Sequence, residues 1–242
     1  MTTGVVRVGD TVRRPAGPWT PAVHALLRHL GEVGFDGSPR SLGIDDEGRH
    51  VVEWIDGGLT HPYAPLSPVS PSLTDVGRQI RRFHDATTTF SPPDDAVWNT
   101  VIVPDRQVQI VHHDLAAWNF VHGTNRSVFI DWDLAGPGSV LWDLAWSAQS
   151  FAALAPNTAI DDAGRRLRAL VDGYGLNDEE RVRLIELLPV RYQAMCDLLA
   201  EGHRSGEQPW ARLWSEGHGD SWARITAFAT QHSVALLEAL IT

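Results

Sequence analysis

Residues 112–131 constrain this chain more tightly than any other stretch. His112, Asp114 and Asn119 stand in the spacing H-x-D-x-x-x-x-N, and Asp131 follows twelve residues later within Ile130-Asp131-Trp132-Asp133. Two short β-branched runs, residues 107–111 and 127–130, flank the segment and read as strands. A carboxylate in the loop after the first run can face a cleft. An amide five residues on offers a neutral oxygen, and a second carboxylate leaving the other strand can approach the same point from the opposite side. Ala135-Gly136-Pro137-Gly138 then reads as a turn, followed by Trp142-Asp143-Leu144-Ala145. A loose three-residue pattern recurs by chance, but this ordered set is specific.

The rest of the chain divides around that segment. Val5–Val8, Gly9-Asp10 and Val12–Arg14 read as a short hairpin. Thr20 reads as an N-cap with Pro21 at the first helical position, and Val23, Leu26, Leu27 and Leu30 give a helical period up to Gly34. Residues 41–44 and 50–55 read as two more strands. Residues 57–72, with prolines at 62, 65, 68 and 71, read as a linker or surface loop. Helical spacing returns over 73–87 and dominates after 141, with helices expected near 141–154, 161–174, 178–202 and 220–240. The expected organisation is a reduced N-terminal lobe over 1–56, the linker, and a helical lobe over 73–242 that carries a β-hairpin near its start. A cleft between two such lobes is a usual ligand site.

Composition narrows the function classes. The 242 residues are 43% hydrophobic and 21% charged, as in an ordinary globular protein. The formal charge of −10 argues against a nucleic-acid backbone as partner and suits steering of a cationic small molecule. Cys196 is the single cysteine, so no disulfide can form within the chain, and the cytoplasm is the expected compartment. MTTGVVRVGDTVRRPAG has no apolar core and is not read as a signal peptide, and no run reaches the roughly 20 apolar residues of a membrane span. His112, His113 and His122 are spaced by one and then nine residues, which matches no common zinc pattern.

The chemistry these residues suit is phosphoryl transfer. It asks little covalent work of a protein: positioning, a cation to neutralise phosphates, and a carboxylate beside the attacking hydroxyl. Mg²⁺ takes hard oxygen ligands and keeps waters, so one Asp, one Asn and phosphate oxygens suffice.

The stretch HHDLAAWNFVHG…VFIDWDLAGPGSVLWDLAW resembles the catalytic segment of the aminoglycoside phosphotransferase family, which shares its fold with protein kinases and choline kinases. The resemblance is specific over 108–146, looser over 20–90, and generic in the C-terminal helices. It implies an α+β, protein-kinase-like two-lobe fold with a small β-rich N-lobe and a mainly helical C-lobe. It implies ATP and Mg²⁺ as cofactors and a small-molecule hydroxyl as acceptor, with no nucleic-acid or membrane partner. By position, Asp114 resembles the catalytic base, Asn119 and Asp131 the Mg²⁺ ligands, and His112 the histidine that braces the loop. Asp143 resembles the family's buried aspartate, though alone it could be only an N-cap. Glu53-Trp54-Ile55 resembles the inter-lobe hinge whose backbone meets the adenine.

The chain also departs from that pattern. The first hairpin turn, Val-Gly-Asp-Thr, has one glycine where a Gly-rich lid is expected. The chain has no lysine, so the strand residue expected to meet phosphate is Arg13 or Arg14, only one of which can face the cleft. His24 stands near the place of the glutamate that normally pairs with that lysine. Glu201, Glu207, Glu216 and Asp220 are candidates to receive a cationic acceptor. Asp133 reads as a turn or surface residue. The alternative to a kinase is a kinase-fold binding or immunity protein without turnover.

Overall fold

The computed structural model describes residues 4–59 and 72–241, so most of the proline-rich segment expected as a linker lies outside the described residues. Strands β1 (Val6–Val8) and β2 (Thr11–Pro15) form the expected hairpin, with Gly9 at φ 60° in its turn. Helix α1 (Thr20–Glu32) follows, burying Val23, Leu26, Leu27 and Leu30. Thr20 is not its cap: its hydroxyl accepts from the Gly17 N–H at 2.9 Å, and the helix begins at Thr20 itself. Strands β3 (Ser41–Ile44) and β4 (Arg49–Glu53) complete a four-stranded sheet of order β1-β2-β4-β3.

Residues 57–59, expected as loop, form strand β5 (Gly57–Leu59), which pairs with a strand of the second lobe. Helix α2 (Leu73–Thr87) starts at a capping box between Ser72 and Asp75. Strand β6 (Gln109–Val111) leads into the H-x-D segment, where a turn of 3₁₀ helix spans Ala117–Asn119. Strands β7 (Phe120–Gly123) and β8 (Ser127–Phe129) follow as a hairpin, and β9 (Gly136–Gly138) closes the region.

The pairing differs from the sequence expectation. β6 pairs with β9, Gln109 opposite Gly138 and Val111 opposite Gly136, while β8 pairs with β7, which lies inside the motif. Gly-Pro-Gly is thus a strand rather than a free turn. A Cβ on Gly138 would lie 2.5 Å from Val111 Cγ2, so only glycine lets the two backbones approach.

The remaining chain is helical: α3 (Val140–Phe151), α4 (Ile160–Tyr174), α5 (Asp178–Ser205), α6 (Trp210–Ser215), α7 (His218–Gln231) and α8 (Ser233–Ile241). The single helix expected over 220–240 is broken at His232, and left-handed Gly217 separates α6 from α7. α3 is buried from Leu141 through Phe151 and forms the axis of the core. α2 and α4 cross without intervening side chains, because a Cβ on Gly77 or Gly173 would sit 2.1 Å from a carbonyl of the opposite helix. Among the described residues, no helix is long and apolar enough to cross a membrane.

Bonds between the lobes include the following. The Phe129 N–H donates to the Gly37 carbonyl at 2.9 Å. Arg126, in the β7–β8 turn, donates to the Glu53 carboxylate at 2.6 Å and to the Asp36 carbonyl at 2.8 Å. Arg14 on β2 reaches Asp131 at 2.5 Å.

Candidate active site

The loop after β6 is shaped by a buried carboxylate. Asp143, fully buried in the first turn of α3, accepts from the His112 N–H at 3.0 Å and the His113 N–H at 2.8 Å. His84 Nε2 shares a third bond with it at 3.1 Å, and His84 Nδ1 meets the Tyr174 hydroxyl at 2.8 Å. Asp143 is therefore not a cap; Ser139 fills that place, its hydroxyl accepting from the Trp142 N–H. Burial pushes the Asp143 carboxyl up, but the bond and charge of His84 outweigh it and hold the group ionised below the usual range. With both N–H groups clamped, His113 takes a left-handed conformation, φ 65°, and turns the chain towards Asp114.

His112 is fully buried against the Trp132 ring, 4.5 Å between centroids, and its Nδ1 accepts from the Asp114 N–H at 3.3 Å. Burial lowers its pKa to about 4, so it stays neutral. It positions Asp114 and cannot reach a substrate.

Asp114 is half-buried. Trp146 Nε1 donates to its Oδ1 at 2.7 Å, and the Asn119 amide donates to its Oδ2 at 2.8 Å and its backbone oxygen at 3.1 Å. Burial raises its pKa to about 7; the Trp146 bond opposes the rise and the charge of Asp131 adds to it. That value lies where a side chain can both take and release a proton near neutral pH.

Asn119 spends its N–H group on Asp114, which leaves its carbonyl oxygen as an acceptor. Its backbone oxygen accepts from the Ile130 N–H at 2.8 Å, and that bond sets Asp131 beside it. Asp131 is itself left-handed, φ 66° and ψ 62°, with a side chain 40% exposed. Asn119 is thus bonded to Asp114, and Asp131 follows the residue that is bonded to Asn119.

Of the two strand arginines, Arg14 faces the cleft. Its Nη2 bridges Asp131 and Asp133, both at 2.5 Å, while Arg13 points away to Asp45 at 3.0 Å. Burial works against the Arg14 charge, and the two carboxylates more than compensate, raising its pKa. Asp133 is therefore no free surface residue; it shares Arg14 with Asp131, which its i+2 spacing across a tight turn could have signalled. Among the described residues His24 makes no hydrogen bond to Arg14. Its Nδ1 meets the Ser41 hydroxyl at 2.5 Å, and the same hydroxyl meets His50 Nε2 at 2.9 Å. His50 stands opposite Arg14 in the β2–β4 register. Burial and the Arg14 charge lower its pKa to about 4.

Glu53, Trp54 and Ile55 lie where β4 ends between the lobes. The Glu53 N–H donates to the Arg40 carbonyl and the Trp54 N–H to the Asp10 carbonyl, each at 2.9 Å. Arg126 fixes the Glu53 carboxylate, and Arg7 covers the Trp54 ring at 4.3 Å.

On the helical side, Asp114 borders a cavity of about 580 Å³. Trp118, Trp146, Trp210 and Trp222 supply much of its wall, with Arg191 from α5. Glu201, Glu207, Glu216 and Asp220 do not line it; Glu201 pairs with Arg204 and Glu216 with Arg212 on the surface.

Comparison with known proteins gives the chain a family. Residues 94–185 match the profile of the Phosphotransferase enzyme family (APH). A curated relative from Rhizobium leguminosarum bv. trifolii is 34% identical over 232 residues, covering 88% of each chain. The chain belongs to the phosphotransferase enzyme family. That relative is named Trifolitoxin immunity protein. Among solved structures, a choline/ethanolamine kinase family protein from Mesorhizobium loti superposes with TM-score 0.68 at 18% identity, over 99% of this chain and 90% of that one. An amicoumacin kinase in complex with AMP-PNP, Ca²⁺ and Ami superposes with TM-score 0.63 at 13% identity, over 96% and 89%. The fold of this phosphotransferase-family chain is protein-kinase-like, with a small β-rich lobe and a helical lobe.

Proposed function

We propose that this chain transfers the γ-phosphoryl group of ATP to a hydroxyl of a small molecule. The observation that carries the reading is the position of Asp114. It borders the acceptor-sized cavity and is bonded to Asn119, which lies beside Asp131 and, through it, Arg14. A hydroxyl in the cavity would lose its proton to the Asp114 carboxylate. Its oxygen would form the new P–O bond as the bond between the γ-phosphorus and the bridging oxygen breaks, the electron pair leaving with ADP. Trp146 holds Asp114 in place and steadies its charged form.

The fold family implies a divalent cation beside the nucleotide. Among the described residues no trio of His, Cys, Asp or Glu converges as a metal site. The oxygens of Asn119 and Asp131 nevertheless suit a hard ion that keeps waters and phosphate ligands. Mg²⁺ held there would neutralise phosphate charge. Arg14, whose Nη2 already bridges two carboxylates, is the strand residue suited to phosphate oxygens. The backbone at Glu53–Ile55 would meet the adenine.

The test is a screen of hydroxyl acceptors with labelled ATP, run beside Asp114→Asn. The reading expects label in an acceptor with the native protein and at least about a hundredfold less with the variant, while nucleotide affinity is kept. Equal transfer by both proteins would contradict it. A second reading is a binding or immunity protein of the same fold. The relative's name favours it, as does the commitment of Asp131 to Arg14. It predicts acceptor binding without Mg²⁺-ATP binding.

A further inference from the structure

The cavity beside Asp114 carries a feature that the reaction does not use. Arg191 is 3% exposed and forms part of the cavity wall. Its Nη2 donates to the His113 carbonyl at 3.2 Å, but among the described residues its Nε and Nη1 have no acceptor. Among the described residues no carboxylate bonds to it. Burial pulls its pKa down to about 10, with Asp114 and Asp143 partly opposing the fall from a distance. A buried guanidinium with two unbonded N–H groups and no carboxylate bonded to it is costly. The side of it that borders the cavity is the place from which a partner can arrive.

The tryptophans argue in the same direction. An aromatic wall next to a carboxylate invites comparison with a cage for an ammonium group, which needs free ring faces. Trp146 has none to give. The Arg191 guanidinium lies 4.3 Å from its ring centre, and Trp222 stacks on it at 4.8 Å with planes 15° apart. Two groups that close cannot share one face, so both are taken. Asp114 is the only acidic residue lining the cavity among the described residues, and both of its oxygens already accept hydrogen bonds. An ammonium ion here would meet the fixed positive charge of Arg191, and the one carboxylate it could turn to is the one the hydroxyl must reach.

We propose that the acceptor is an aromatic or otherwise apolar alcohol bearing a carboxylate that pairs with Arg191, and that the cavity selects against cationic acceptors. This deepens the phosphotransferase reading by naming the acceptor class. The volume, about 580 Å³, suits one drug-sized molecule. A hydroxyl reaches Asp114 while the carboxylate, elsewhere on the same molecule, docks on Arg191.

The test uses the full chain without nucleotide and three alcohols on one skeleton: para-(hydroxymethyl)benzoate, its carboxamide and para-(hydroxymethyl)benzylamine. Binding is followed on the indole N–H NMR signals of the protein. The benzoate is expected to bind on the order of tenfold tighter than the amine, with the carboxamide between them. Arg191→Gln is expected to erase that order and Arg191→Lys to restore part of it. The native comparison alone decides if a variant misfolds. The amine binding as tightly as the benzoate, or an order unchanged in a folded Arg191→Gln, would overturn the proposal. Because no ATP is present, charge-selective binding without any later transfer sinks the phosphotransferase reading and leaves this one standing. Transfer to a hydroxyl with no charge selection does the reverse.

Discussion

Replacing Asp143 should reveal how the catalytic loop is held. Asp143→Ala removes the acceptor of two backbone N–H groups, His112 and His113, and the partner of His84, all of them buried. Each buried donor left without an acceptor costs about 1–3 kcal/mol, so the sum over the three is about 3–9 kcal/mol. That is a large part of the 5–15 kcal/mol, roughly, that a domain possesses. Asp143→Asn keeps one acceptor oxygen but turns an amide N–H₂ on another donor, so about half the loss is expected. Ser139→Ala, which removes only the helix cap, should cost about 1 kcal/mol. Urea unfolding of the three variants gives the order directly. If Asp143→Ala lay within about 1 kcal/mol of the native protein, or matched Ser139→Ala, the bracing role would be refuted.

Other outcomes follow from the same geometry. Arg14→Ala leaves Asp131 and Asp133 without their shared cation; because Asp131 is well exposed, the cost in a melting experiment should be only about 1–2 kcal/mol, and added Mg²⁺ should recover more of it than it adds to the native protein. His50 titrates near 4 in the folded state against 6.5 unfolded, so the unfolded chain takes up the proton first. The stability His50 contributes is whole above pH 6.5 and drains as pH falls towards 4, by at most about 3 kcal/mol, and His50→Gln should flatten the urea midpoint across that window. Trp146→Phe removes a donor that favours ionised Asp114, so the acidic limb of any transfer activity should move to higher pH; a limb that stays in place would contradict the assignment.

Much of this was legible in the sequence because local signals coincided with tertiary ones. The spacing of His112, Asp114, Asn119 and Asp131 predicted a shared site; Asn119 bonds to Asp114, and the β7–β8 hairpin with the Asn119–Ile130 bond carries Asp131 back towards Asn119. Apolar periodicity located α1 and α2. What failed had distant causes. Gly136-Pro137-Gly138 carries every local mark of a turn, yet β6 lacks a neighbour and recruits it as a strand. Thr20 lost its capping role to the Gly17 N–H three residues before it. Nothing in the α5 sequence marks Arg191 as different from the exposed arginines of the same helix. Its burial depends on Trp142 and Trp146, some fifty residues away in the chain. The acidic residues of the C-terminal helices suggested a cationic acceptor, but helical packing leaves them on the outer surface.

Asn119 and Asp131 are proposed to hold one divalent cation with the nucleotide. Calorimetric titration of the native protein, Asn119→Ala and Asp131→Ala with AMP-PNP, each with and without Mg²⁺, tests it most directly. The account predicts that Mg²⁺ tightens native binding by about tenfold or more and that either substitution removes this gain while metal-free affinity stays within about twofold. An Mg²⁺ gain that survives in Asp131→Ala, or a native protein indifferent to Mg²⁺, would contradict it.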